Sequence, residues 1–182
     1  MKSFRRVFRV IVSLLMVGIL VFAGYNIVMK YIYPDDYIDL AKRYGEEYNV
    51  DWELVMAVMS CESKFNPDAV SERDAVGLMQ LTEETFLDMR KKVGDDESIT
   101  FANHAKDPEI NVKYGTRYLR FLFQYFENDK VAVIAAYNAG LSNVKKWRGS
   151  NGKLELGEIE FPETRAYVEN VLKAEEHYIN EK

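Results

Sequence analysis

The chain has 182 residues, 48% apolar and 29% charged, with a formal net charge of −5. That is enough for one sizeable core, and four Pro against ten Gly without an internal repeat exclude low-complexity, collagen-like and solenoid chains. One cysteine, Cys61, excludes an intrachain disulfide, and the lack of zinc-ligand spacing or of a basic stripe beyond residue 9 leaves nothing that points to nucleic acid.

The N-terminus carries its own signal. Lys2, Arg5, Arg6 and Arg9 form a basic stretch over residues 1–9, followed by VIVSLLMVGILVFAGYNIVM, residues 10–29, without a charge. About 20 residues at 1.5 Å each cross a hydrocarbon core of about 30 Å. The basic cluster stays cytoplasmic, so the expectation is a single-pass signal anchor in the cytoplasmic membrane with the remainder on the extracytoplasmic face. A cleaved signal peptide is the alternative, although its apolar region is usually shorter and ends in a small-x-small site. All 29 acidic residues lie beyond residue 9, against 20 of the 24 basic ones, a formal charge of −9 for that part.

Residues 30–36 read as a juncture, and residues 37–182 as one domain. Ile38, Leu40, Ala41 and Tyr44 share one face of a helix expected from Tyr37 to Glu47. Asp51 is placed to cap a second helix running to Ser63. NPDAVSERDAVG, residues 66–77, carries turn formers and no helical period, so it reads as a structured loop. Thr82 caps a helix that ends near Gly94, and residues 95–106 read as another loop. Asp107-Pro108 opens a long helix to about Asn128, with Ile110, Tyr114, Tyr118, Leu119, Leu122 and Phe126 at core spacing. Asp129 opens the next helix, which stops at Gly140. Residues 148–159 form a glycine-punctuated loop before a final helix from Pro162 to Tyr178. Helices dominate, and no alternating strand pattern stands out. His104 and His177 stand alone, as surface residues rather than metal ligands; no metal or other cofactor is implied.

Glu62 raises the functional question. It ends an apolar run, DWELVMAVMS, with Val55, Val58 and Met59 on or beside its face. Burial there disfavours the charged carboxylate, and a negative charge near a helix C-terminus opposes the dipole. A carboxylic acid kept protonated near neutral pH can give a proton to a glycosidic oxygen. A glutamate that merely closes the helix fits the local pattern equally well.

Ordered blocks extend the pattern. They are ESKFNPDAVS from Glu62 to Ser71, AVGLMQL from Ala75 to Leu81, the weaker NVKYGTRYL from Asn111 to Leu119, AAYNAG from Ala135 to Gly140, and FPETRAYV from Phe161 to Val168. In this order they resemble the catalytic domain of the soluble lytic transglycosylases, whose fold is similar to goose-type lysozyme. The resemblance covers residues 35–180 and implies a compact, mostly α, lysozyme-like domain behind one N-terminal transmembrane helix.

By that resemblance Glu62 is the catalytic acid/base. Ser71 lies near the reacting sugar, Met79 and Gln80 line the glycan groove, and Tyr137, Asn138 and Tyr167 complete the substrate-binding set. Each also has a structural alternative: Ser71 as a turn former, Met79 and Tyr137 as core, Gln80 as an internal hydrogen bond, Asn138 at a helix end, Tyr167 as packing. Cys61 reads as a small buried hydrophobe beside the site. Asp74, Thr82-Glu83 and Leu141-Ser142 depart from the family's usual glycine, Met-Pro and Pro-Gly, which touches loop shape.

Most glycoside hydrolases use two carboxylates, and the matched pattern supplies one. The resemblance therefore implies non-hydrolytic cleavage of the MurNAc-β-1,4-GlcNAc bond of peptidoglycan with 1,6-anhydro ends. A hydrolytic lysozyme, or a non-catalytic wall-binding module of an envelope complex, are the alternatives. Peptidoglycan strands, the membrane through residues 10–29 and unidentified envelope machinery are the expected partners.

Overall fold

A computed structural model describes residues 2–149 and 152–180. The chain divides into two compact units, one through Asp35 and one from Asp36 onward. The first is a single helix, α1, Lys2–Ile32, in which Val7–Ile32 forms a 26-residue stretch long and apolar enough to cross a membrane.

In the second unit α2 is Ile38–Tyr48 and α3 is Trp52–Ser63. Every residue of α3 from Glu53 to Met59 is buried, the signature of a helix enclosed on all sides. α4 (Glu83–Val93) begins at Thr82, whose side chain accepts from the Thr85 N–H, and stops at Gly94 in the left-handed region. α6 (Pro108–Tyr125) opens on Asp107, which accepts from the Glu109 and Ile110 N–H groups. α7 (Lys130–Ala139) opens on Asp129, which accepts from Ala132 and, through its other oxygen, from Leu154. α9 (Pro162–Asn180) lies along α3 and α7, and α2 lies along α3 and α6. Between α4 and α6, Phe86, Met89, Tyr114, Val76 and Leu81 form a packed cluster, with Phe86 edge-on to Tyr114 at 4.8 Å.

Several boundaries differ from expectation. Asp51 stands at the N-cap of α3, but its side chain makes no capping bond. The expected loop over residues 95–106 contains a short helix, α5 (Phe101–His104), because Phe101 packs edge-on against Phe86. α6 ends at Tyr125 rather than Asn128, since Glu127 and Asn128 both take positive φ. A seven-residue helix, α8 (Leu141–Trp147), follows Gly140, anchored by buried Val144 and Trp147. Leu156–Glu158 forms one 3-10 turn. Among the described residues, extended pairing is confined to the isolated bridges Val70–Val76 and Val76–Leu81.

Candidate active site

The site is built at the C-terminal end of α3. Glu62 is the penultimate residue of that helix, and Lys64 and Phe65 after it both adopt left-handed conformations, φ 52° and 62°. Two successive non-glycine residues in that region cost on the order of 1–2 kcal/mol each. Phe65 offsets the cost by burial, stacked on Tyr37 with centroids 6.4 Å apart. The turn thus ends α3 abruptly and leaves Glu62 beside α9 instead of inside a longer helix.

Protein encloses the Glu62 carboxyl on most sides, yet the residue keeps a partly exposed face. Burial raises its pKa from 4.5 to about 7, against the opposing pull of a hydrogen bond from Tyr167. That bond, Tyr167 Oη donating to Glu62 Oε1, is 2.5 Å long and joins residues 105 apart in sequence. Tyr137 also feels the Glu62 charge, and burial together with that charge pushes the phenols of both tyrosines well up. The Tyr137 hydroxyl donates to the Met79 carbonyl at 2.8 Å. Glu62, Tyr137 and Tyr167, from α3, α7 and α9, therefore converge as one cluster.

The loop preceding α4 supplies a further wall. Asn111 of α6 is fully buried: its Oδ1 accepts from the Met79 N–H at 2.7 Å, and its Nδ2 donates to the Val76 and Ala105 carbonyls. Gly77 takes φ +85°, and a Cβ there would lie 2.5 Å from the Ala105 carbonyl oxygen. On the next turn of α6, a Cβ at Gly115 would lie 2.8 Å from Met79 Cβ. These are close approaches that only glycine allows. Neither Asn111 nor Gly115 is singled out by the sequence reading. The signal available was their place on the stripe Asn111, Gly115, Leu119, Leu122: a polar and a small residue on a buried face.

The other expected residues fall as follows. Met79 is fully buried over Gly115, so its side chain supports the floor and does not open to solvent. Gln80, at φ 46°, donates its Nε2 to the Ala69 and Gly77 carbonyls. Its Oε1 has no hydrogen-bond partner among the described residues. Ser71 Oγ accepts from the Arg73 and Ala75 N–H groups, an ST-turn that shapes the loop. Asn138 Oδ1 accepts from Thr164 Oγ1 at 2.8 Å, fastening α7 to α9. Cys61 is half-buried rather than fully buried, and burial, helped by the Glu62 charge, pushes its thiol up to about 11. That disfavours the nucleophilic thiolate.

Among the described residues, the other carboxylates felt near this cluster act one ring further out. Tyr118 stacks obliquely on Tyr137 at 5.3 Å, and burial, then Asp88 and Glu84, push its phenol up to about 12. Neither acid is among the groups that act on Glu62. The arrangement can hold one neutral carboxyl, ready to donate a proton, with a tyrosine fixing its orientation.

The fold and sequence have known counterparts. The transglycosylase SLT domain model matches residues 39–159. The soluble lytic murein transglycosylase of Escherichia coli (strain K12) is 35% identical over 151 residues, 80% of this chain and 23% of that protein. Membrane-bound lytic murein transglycosylase C of Edwardsiella ictaluri is 39% identical over 120 residues, 59% of this chain and 32% of that one. The crystal structure of the lytic transglycosylase Slt from Pseudomonas aeruginosa, an inactive Glu-to-Gln mutant, matches with a TM-score of 0.74 and 28% identity, over 81% of this chain and 24% of that one. The chain spans about a quarter of the length of the soluble relative. Its helical unit is an all-α, lysozyme-like domain, and the chain belongs to the transglycosylase SLT domain family.

Proposed function

We propose that this chain is a peptidoglycan lytic transglycosylase in which Glu62 is the single acid/base. The observation that carries the reading is the mostly enclosed Glu62 carboxyl, bonded at 2.5 Å by Tyr167 and kept toward its neutral form by burial, with no second carboxylate among the described residues acting on it. The activity of the murein transglycosylases it resembles, and the inactive Glu-to-Gln form of the Pseudomonas aeruginosa relative, support one essential glutamate.

The chemistry follows from having one acid. Glu62, protonated, donates to the oxygen between N-acetylmuramic acid and N-acetylglucosamine. The muramic N-acetyl group stabilises the positive charge developing at C1. Glu62, now a carboxylate, takes the proton of the C6 hydroxyl of the same sugar. That oxygen attacks C1 and closes a 1,6-anhydro ring. The nucleophile is already tethered, so no water-activating partner is needed. Gln80 Oε1 and the Ser71 hydroxyl proton remain open to the glycan, while Asn138, Met79 and Tyr137 hold the groove around it.

Residues 37–182 form the catalytic domain, and residues 10–29 anchor it in the cytoplasmic membrane, with residues 1–9 inside and the domain outside. The 26-residue apolar helix and the membrane-bound relative support membrane attachment, and the basic residues before the helix support the orientation. Such an enzyme opens wall locally for envelope machinery.

The test is product analysis on purified peptidoglycan beside Glu62→Gln. Mass spectrometry should find anhydromuramic ends from the native chain, and at least about a thousandfold less product from the variant, the scale lost with an essential acid/base. Reducing muramic ends would assign a hydrolase instead; equal cleavage by the variant would remove Glu62 from the mechanism.

A further inference from the structure

A cavity of about 1020 Å³ opens in the helical unit away from Glu62. It is at the other end of α3, around Asp51 and Trp52, ten residues and about 15 Å from Glu62 along the helix. α6 contributes Arg120, and α9 contributes Glu175 near its end.

Its charges are arranged unusually. Lys130 Nζ is committed to buried Glu175 at 2.7 Å, and Lys42 Nζ sits over the Trp52 ring at 5.0 Å. Half-buried Arg120, by contrast, has no ion pair, hydrogen bond or ring contact among the described residues. Asp51, exposed at the mouth of the cavity, stands at the N-cap of α3, yet its side chain makes no capping bond. A guanidinium and a carboxylate thus line one cavity without closing on each other or on a neighbour. Each is left to meet a counter-charge from outside, and a guanidinium fork fits a carboxylate with two parallel bonds. The volume suits a ligand of several residues rather than a single ion.

We propose that this cavity is a second binding site, for a short peptide that presents a carboxylate to Arg120 and an ammonium to Asp51. In the wall that chemistry belongs to the stem peptide; this identification of the source rests on the reading of the chain as a peptidoglycan enzyme, whereas the site itself does not. The site lies apart from the groove, so the chain holds peptide and glycan independently.

The test uses the full chain in detergent micelles and isothermal titration with the tetrapeptide L-Ala-D-isoGlu-L-Lys-D-Ala. Wild type and Glu62→Gln should bind it equally. Arg120→Gln should weaken binding about tenfold or more, the scale of a lost charge-assisted pair, and Arg120→Lys should recover part of it. Asp51→Asn, which breaks no helix cap, should weaken it as well. The same peptide acetylated on both amines and amidated on its carboxylates should not bind. Equal affinity for wild type and Arg120→Gln, or no binding to wild type, would overturn the proposal. So would displacement by peptide-free glycan fragments, which would put the peptide in the groove. D-alanine binding as tightly as the tetrapeptide would overturn a peptide as the ligand. Cleavage of peptide-free glycan strands by Arg120→Gln should equal wild type. Arg120-dependent peptide binding in a chain that cleaves no glycan would sustain this site and defeat the enzymatic reading.

Discussion

Glu62 stores an opposition between stability and chemistry. Unfolded, its carboxyl ionises near 4.5; folded, it keeps its proton up to about 7. Between those values the unfolded chain loses a proton that the native chain retains, so stability falls as pH rises through the window. Above pH 7 the loss is complete, on the order of 3 kcal/mol. Glu62→Gln carries no such charge. It should melt higher than the native chain at pH 8 and at the same temperature near pH 4, a comparison that calorimetry makes directly. The reaction follows the same proton: kcat/KM should be level below pH 7 and fall tenfold per pH unit above it. Tyr167→Phe removes the bond that draws the pKa down, so its break should come at higher pH.

At the scale of elements, the segment from Val76 to Leu81 depends on groups outside itself. Asn111 satisfies one N–H and two carbonyls around it, and Tyr137 satisfies a third carbonyl. Asn111→Ala would leave the Met79 N–H and the Ala105 carbonyl unpaired in a dry interior, while the Val76 carbonyl keeps the Leu81 N–H, at a cost on the order of 3 kcal/mol. Gly115→Ala would press on Met79 and cost about 1–3 kcal/mol by overpacking. Urea denaturation should read both losses, and glycan cleavage should fall in both as the loop shifts. These two residues also mark where sequence stops being legible. Thr82, Asp107 and Asp129 announce their helices by local capping chemistry, and long apolar periods carry α6. α5 and α8, with four and seven residues, are too short to display a period. Glu62, Tyr137 and Tyr167 are conspicuous through ordered motifs, but the need for Asn111 arises only from a loop's free backbone groups. No local pattern displays those.

The whole molecule joins an apolar helix to an acidic helical unit. That unit, from Asp36 onward, contains the buried helix α3, the cluster around Phe86 and all the residues of the site. A chain starting at Asp36 should therefore fold, remain soluble and release wall fragments at a rate within about twofold of the full chain on dissolved glycan, since no group of the site is removed. The full chain should sediment with membranes and resist extraction by high salt, as an apolar span does and an electrostatic contact does not. The Glu62–Tyr167 bond has a consequence in time as well. It closes a loop of 105 residues with the last helix of the fold. Ribosomes deliver α9 well after α3, so a half-made chain already carries its glutamate but not the phenol that steadies it. In the proposed enzyme, lytic activity would then wait until synthesis has passed residue 167, and the order of manufacture would become a guard on the wall.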